Sequence, residues 1–219
     1  MGFIRVPNEY LFEKGRTAQF IAMYGTDGFT IWCYLKYLIA HREYTTVNMR
    51  NILDFFGRVE EGLPTLKDKR ALVKRLEHLR ENNIIDMYMD GIQIDSLKNI
   101  SVNKNIIVYV NDTYDNDNFE GIGDNVFDSK FNKCGHIAWS LYCVLCRLNN
   151  EKKGYAYPSI ETLCSTLGYT DKPVYEAIRT LEQIGMVRVE RKEVVFIGFD
   201  KFGRKQFKQE PNNYFILMK

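Results

Sequence analysis

A chain of 219 residues with 45% hydrophobic and 26% charged side chains and five prolines can bury a core, which excludes disordered and fibrous classes. No apolar run approaches the ~18 residues that cross a bilayer, because Lys36 interrupts residues 31–40 and Ser140 interrupts residues 137–146. Thirty Lys and Arg against 28 Asp and Glu leave a net charge of +2, too even to name a partner.

The first periodic segment is a helix over residues 31–40. An extended piece at 44–47 follows, then a second helix with Met49, Ile52 and Phe56 on one face and a stop at Gly57. After a loop containing 58–64, Thr65 is expected to cap a third helix whose apolar stripe is Leu72, Val73, Leu76 and Leu79. Strand signals at 84–89 and 106–110, with a turn at Gly91, complete this half.

From 112 to 128 there are six acids, Asp112, Asp115, Asp117, Glu120, Asp124 and Asp128, and no base. The segment reads as an acidic linker at about 111–129 between a first domain, 1–110, and a second, 111–219. Its apolar residues Phe119, Ile122, Val126 and Phe127 are expected to dock it onto the second domain.

The second half repeats the order of the first. A helix over 138–148 leads to an extended piece at 155–157. Pro158-Ser159 then starts a second helix that stops at Gly168, and Thr170 is expected to cap a third, with Pro173 in its first turn. That third helix carries Val174, Ala177, Ile178, Leu181 and Ile184 on one face. Strands follow at 186–191, 194–199 and 214–218, with a turn at Gly203.

The halves also share residues. An offset of 107 brings Gly28 and Trp32 onto Gly135 and Trp139, an offset of 111 brings Met49, Ile52 and Gly57 onto Ile160, Leu163 and Gly168, and an offset of 105 brings Thr65, Leu76 and Glu77 onto Thr170, Leu181 and Glu182. The expected fold class is therefore α+β, with two tandem winged helix-turn-helix domains, each of three helices and a small antiparallel β-hairpin wing.

Residues 158–187, from Pro158-Ser-Ile-Glu-Thr-Leu to Gln-Ile-Gly-Met-Val187, resemble the helix-turn-helix core of winged-helix DNA-binding domains. They are most similar to replication initiators and helicase-loader-type proteins of Gram-positive plasmids and phages. Pro211-Asn-Asn-Tyr-Phe-Ile-Leu is similar to the last wing strand of that group, and Phe3-Ile-Arg-Val-Pro-Asn-Glu-Tyr to its N-terminal strand. The first half matches more loosely, its turn being expanded by Arg58-Val-Glu-Glu-Gly-Leu-Pro. The resemblance implies binding to double-stranded DNA at a replication origin, with replication proteins or a second copy of the chain as further partners. A regulator of transcription on a mobile element, and a dimerisation or helicase-loading module, are the alternatives.

Charge supports DNA independently. Residues 67–80 hold six bases against two acids, and residues 188–208 hold seven against three. A helix fits the major groove and can offer donors to base edges there. The candidate contacts in the second half are Thr170, Lys172, Tyr175, Glu176 and Arg179; in the first they are Thr65, Lys67, Arg70 and Lys74, with His78 beside them. Arg191, Lys192, Arg204 and Lys205 in the hairpin are placed to hold phosphate.

Other signals point elsewhere. In Cys143-x-x-Cys146, Cys146 occupies a helical core register, as does Cys164, so the pair reads as core rather than as a metal or redox site, and an odd count of five cysteines suits a reducing compartment. Residues 115–121 only faintly resemble a calcium loop, because Phe119 and Val126 stand where oxygen ligands belong. Gly121-Ile-Gly123 is a fragment of a dinucleotide fingerprint, and His41, His78 and His136 are scattered. The expectation is a non-enzymatic protein without cofactor, metal, membrane or small-molecule substrate. The N-terminal residues have neither a secretory apolar core nor a myristoylation signal, which places it in the bacterial cytoplasm with DNA.

Overall fold

Each half of the chain opens with a short strand, and these two strands pair with each other. In the computed structural model, which describes residues 3–12, 17–39, 42–57, 69–111 and 119–218, β1 (Phe3–Pro7) runs antiparallel to β6 (Phe119–Gly123) with Ile4 opposite Ile122 and Arg5 opposite Gly121. Ile4, Val6 and Ile122 are buried while Phe3 and Arg5 face outward, the alternation a half-covered strand requires. The Arg5 guanidinium lies 4.7 Å from the centre of the Phe119 ring.

β1 is followed by a turn of helix, α1 (Asn8–Leu11), and by α2 (Gln19–Ile39). Next come β2 (Tyr44–Asn48), α3 (Met49–Gly57), α4 (Lys69–Glu81), β3 (Ile85–Met89), β4 (Ile92–Gln93) and β5 (Asn105–Val110). These strands form one sheet in the order β2-β5-β3-β4. Asp90 and Gly91, both at positive φ (53° and 80°), make the two-residue turn between β3 and β4, where the right-handed strand twist favours that conformation.

β6 leads into α5 (Asp124–Val126), a π-helical turn Phe127–Phe131 and α6 (Asn132–Leu148), then α7 (Ile160–Leu167) and α8 (Asp171–Gln183). β7 (Val187–Glu190) pairs with β10 (Asn213–Ile216), and β8 (Val194–Phe199) pairs with β9 (Lys205–Gln209) as a separate two-stranded hairpin. The piece expected at 155–157 makes only isolated bridges, Asn150 with Tyr155 and Ala156 with Tyr214.

Part of the acidic segment, residues 112–118 with Asp112, Asp115 and Asp117, lies outside the described residues, as does the expanded turn 58–64. The rest is structure rather than linker. Ile122, Val126 and Phe127 are buried, and Phe127 stacks on Tyr37 of the first half (centroids 4.8 Å) while meeting Trp139 of the second edge-on at 4.8 Å. The segment docks on both halves, because its strand completes β1 and its aromatic turn fills the seam between α2 and α6.

Both long helices are broken by a glycine in the same backbone state: Gly25 at φ 74°, ψ 167° and Gly135 at φ 68°, ψ 163°. These residues stand 110 apart, a spacing that does not bring Trp32 onto Trp139 as the expected offset of 107 does. The third helices correct the expected register in the same way. Ile84 N donates to Leu79 O and Met186 N to Leu181 O, each at 2.9 Å, after left-handed Asn83 and Gly185. That is an offset of 102 rather than 105. Both corrections are of three residues, because a helix face recurs every three to four positions and an apolar stripe alone tolerates that slip.

Residues at this spacing of 110 also meet. Thr26 Oγ1 lies 2.7 Å from His136 Nδ1, and Cys33 and Cys143 are both buried, burial and, after it, the Cys33 thiol raising that of Cys143. Tyr169 OH joins the first pair at 3.0 Å, and Arg75 Nε donates to Asp27 beside it at 2.6 Å. Burial holds the His136 imidazole below the ordinary histidine range, with Arg75 adding to the shift and Asp27 opposing it. Burial likewise lifts the Cys134 thiol to about 12 and Cys143 well above its usual value. Thr17 Oγ1 and Ala18 N donate to Ser165 O and Thr166 O at 2.9 and 3.0 Å, a further tie between the halves. One core runs through both halves. Among the described residues no helix is long and apolar enough to cross a membrane.

Candidate nucleic-acid interface

The second half sets a polar helix face outward by ordinary means. Ser159 caps α7 by accepting from Thr162 N at 3.1 Å. Gly168, left-handed at φ 71°, ends it, and its N–H returns to Cys164 O at 2.9 Å. Three residues later α8 begins. Thr170 occupies its N-cap position, but contrary to expectation its hydroxyl makes no cap bond; Asp171 Oδ1 accepts from Lys172 N instead at 2.9 Å.

Val174, Ala177, Ile178 and Leu181 bury the inner face of α8. Lys172, Tyr175, Glu176 and Arg179 therefore fall on the opposite face, and all four are exposed together with Thr170. The Lys172 and Arg179 side chains form no ion pair among the described residues, so their donors remain available. With Asp171 and Glu176 beside them the face is close to neutral. Such a face suits hydrogen bonding to base edges better than bulk attraction to phosphate.

The basic residues of the wing divide into two groups. Arg191 is held by both carboxylate oxygens of Glu182, which raises its pKa, and Lys192 pairs with Glu190, raising the lysine and lowering the glutamate. Arg188 lies over the Phe215 ring at 4.0 Å. Arg204 and Lys205, by contrast, stand exposed at the far end of the β8–β9 hairpin. Of the hairpin residues expected to hold phosphate, this pair is open and the Arg191–Lys192 pair is already neutralised.

In the first half, Arg70 and Lys74 are exposed on α4, while Thr65 and Lys67 lie outside the described residues. Lys69, one turn before the buried Leu72 and Val73, is tied to Lys98 O and Ile100 O at 3.1 and 2.7 Å. His78 sits 5.1 Å from the Tyr24 ring. Along this helix runs a groove of about 780 Å³ bordered by Lys69, Arg70, Lys74 and Lys98 and also by Glu77 and Glu81. In the 102 register Glu77 stands where α8 has Arg179, and Glu77 is committed to Ser96 Oγ and Leu97 N at 2.8 and 3.0 Å. The outward chemistry of α4 thus differs from that of α8.

Four phenylalanines in the cationic stretch were not among the expected contacts: Phe196, Phe199, Phe202 and Phe207, each 47–70% exposed. Their signal in the sequence was aromatic residues interleaved with Lys201, Arg204, Lys205 and Lys208 in a stretch otherwise read only as strands.

Cys143 and Cys146 are buried on α6, as the core reading expects, and Cys164 is half-buried. Residues 136–187 match a family model described as a helix-turn-helix domain. No curated protein matches the chain. The matched span runs from just past the Gly135 break through α7 and α8 to the start of β7. These residues are a helix-turn-helix domain, a class that points to DNA as the partner.

Proposed function

We propose that the protein binds double-stranded DNA sequence-specifically through α8, as an initiator at the replication origin of a plasmid or phage. The observation that carries the reading is the exposed, unpaired Lys172 and Arg179 on the outer face of the helix that completes the matched helix-turn-helix. Tyr175 and Glu176 share that face, and Arg204 and Lys205 hold phosphate beside it. The origin role rests on the resemblance of residues 158–187 and 211–217 to plasmid and phage initiators; regulation of transcription would use the same contacts.

The first half is a second winged helix-turn-helix in this reading, with Arg70 and Lys74 on its recognition helix. Thr26 against His136, with the buried Cys33 and Cys143 at the same spacing of 110, supports a local two-fold axis passing between the halves. A dyad sets α4 and α8 in opposite senses on the duplex. The site is then an imperfect inverted repeat, its halves unequal because the two helix faces differ, with centres ~10 bp apart or a multiple of it.

Selection of the full chain on random duplexes, followed by footprinting, tests this. The expected product is one two-part site. Lys172→Ala or Arg179→Ala should cost about 1–3 kcal/mol on that site and little on random DNA. Replacing both Arg204 and Lys205 by Ala should weaken cognate and random DNA alike and flatten the salt slope by ~2. No enrichment of any duplex, or equal losses on both DNAs for the α8 variants, would refute base reading by α8.

A further inference from the structure

Among the described residues the β8–β9 hairpin pairs with no other strand, and nearly all of its residues are exposed. Its register places Phe196 opposite Phe207 and Phe199 opposite Lys205, with a shift between Phe196 and Gly198. Opposite residues of an antiparallel pair share a face, whereas residues three apart on a regular strand do not. The bulge at Ile197, eased by Gly198 at φ 133°, removes that conflict and turns Phe199 to the side of Phe196. Three rings gather there, with Phe196 centred 5.3 Å from Phe199 and 5.7 Å from Phe207. They remain 47%, 63% and 59% exposed.

The tip is built as well. Asp200 Oδ1 accepts from the amides of Phe202 and Arg204 at 2.8 and 2.9 Å, so the only acid between 194 and 209 is spent on closing the turn. This presents Phe202, 70% exposed, between Lys201 and Arg204, whose charged groups lie 5.1 and 5.6 Å from its ring. Lys205 and Lys208 add to the positive charge along β9. Among the described residues no buried contact accounts for the clustering of these rings, and the bulge brings Phe199 into it.

A partner that fits must be anionic and must offer flat π-faces. A duplex offers the charge but hides its base faces in the stack, whereas an unpaired strand offers both. We propose that the aromatic face of the β8–β9 hairpin binds single-stranded DNA, with bases stacked on Phe196, Phe199 and Phe207 and phosphates held by Lys201, Arg204 and Lys205. The inference rests on the DNA-binding reading above and adds a second mode to it. The duplex is read by α8, and a strand exposed by its opening is held by the wing.

Fluorescence anisotropy of the full chain with labelled dT12 and with a labelled selected duplex tests it. The wild type should bind both. Phe199→Ala with Phe207→Ala should lose at least tenfold on dT12 and less than twofold on the duplex, and Lys172→Ala with Arg179→Ala should show the reverse. Unchanged thermal unfolding verifies that the hairpin variant is folded. Phe199→Trp should retain dT12 binding and have its fluorescence quenched on stacking. Absence of dT12 binding by the wild type, wild-type affinity in the double-Ala variant, or an unquenched Trp would overturn the proposal. So would equal loss on both DNAs, which would make the hairpin a duplex contact. A dimer of the wild type that the double-Ala variant cannot form, with no dT12 binding, would assign the face to a second copy. Failure of the duplex reading shows separately, as a wild type that binds dT12 but no duplex.

Discussion

Replacing Gly25 with alanine asks whether the break in α2 is a requirement of the fold. At φ 74°, ψ 167° the residue occupies a region essentially reserved for glycine, and holding an alanine there costs about 1–3 kcal/mol. The added Cβ would meet Asp27 Oδ1 at 2.6 Å, inside contact distance. The carboxylate must then swing away from Gly28 N (3.0 Å) and Arg75 Nε (2.6 Å), where the Asp27 and Arg75 side chains are only 20% and 29% exposed. Losing these bonds adds about 1 kcal/mol, for a total of about 2–4 kcal/mol. Urea unfolding followed by circular dichroism measures it: with m about 3 kcal/mol/M the midpoint should fall by about 1 M. Asp27→Ala removes the clashing oxygen, so the Gly25→Ala and Asp27→Ala effects should combine to less than their sum. A midpoint shift below about 0.2 M for Gly25→Ala would show that α2 does not require a glycine-only conformation at its break.

Burial depresses the His136 pKa, so the unfolded chain takes up that proton at higher pH than the folded one. The stabilising contribution is present above the unfolded value of about 6.5 and is lost as pH falls below it. The melting temperature should therefore drop between about pH 7 and 5.5, and His136→Gln should flatten that slope; an unchanged slope would place the titration elsewhere. Ser159→Ala should cost about 1 kcal/mol in denaturant unfolding, because a real cap bond is lost. Thr170→Ala should cost less than about 0.5 kcal/mol, because its hydroxyl makes none; equal costs would contradict this assignment of the caps.

Local chemistry was readable wherever it is decided by near neighbours. Ser159, Gly168, Pro173 and the stripe from Val174 to Leu181 mark α7 and α8 through capping, left-handed glycine and helical period, so the outward set Lys172, Tyr175, Glu176 and Arg179 follows from sequence spacing alone. The spacing between the matching features of the two halves was not legible. An apolar stripe repeats each turn and is blind to a slip of three residues, whereas a positive-φ glycine and the return bond after a helix are single points that only the backbone displays.

Everything that depends on distant parts of the chain was decided by the tertiary structure. No local rule pairs residues 3–7 with 119–123, and so nothing in the composition of the acidic segment distinguishes a linker from a strand and an aromatic seam. The same holds for charge. Arg191 and Lys192 look identical to Arg204 and Lys205 as letters, yet the first two are neutralised by Glu182 and Glu190 while the second two stand open at a hairpin tip. Residue type sets what a side chain can bind, and its tertiary neighbours set whether that capacity is already used.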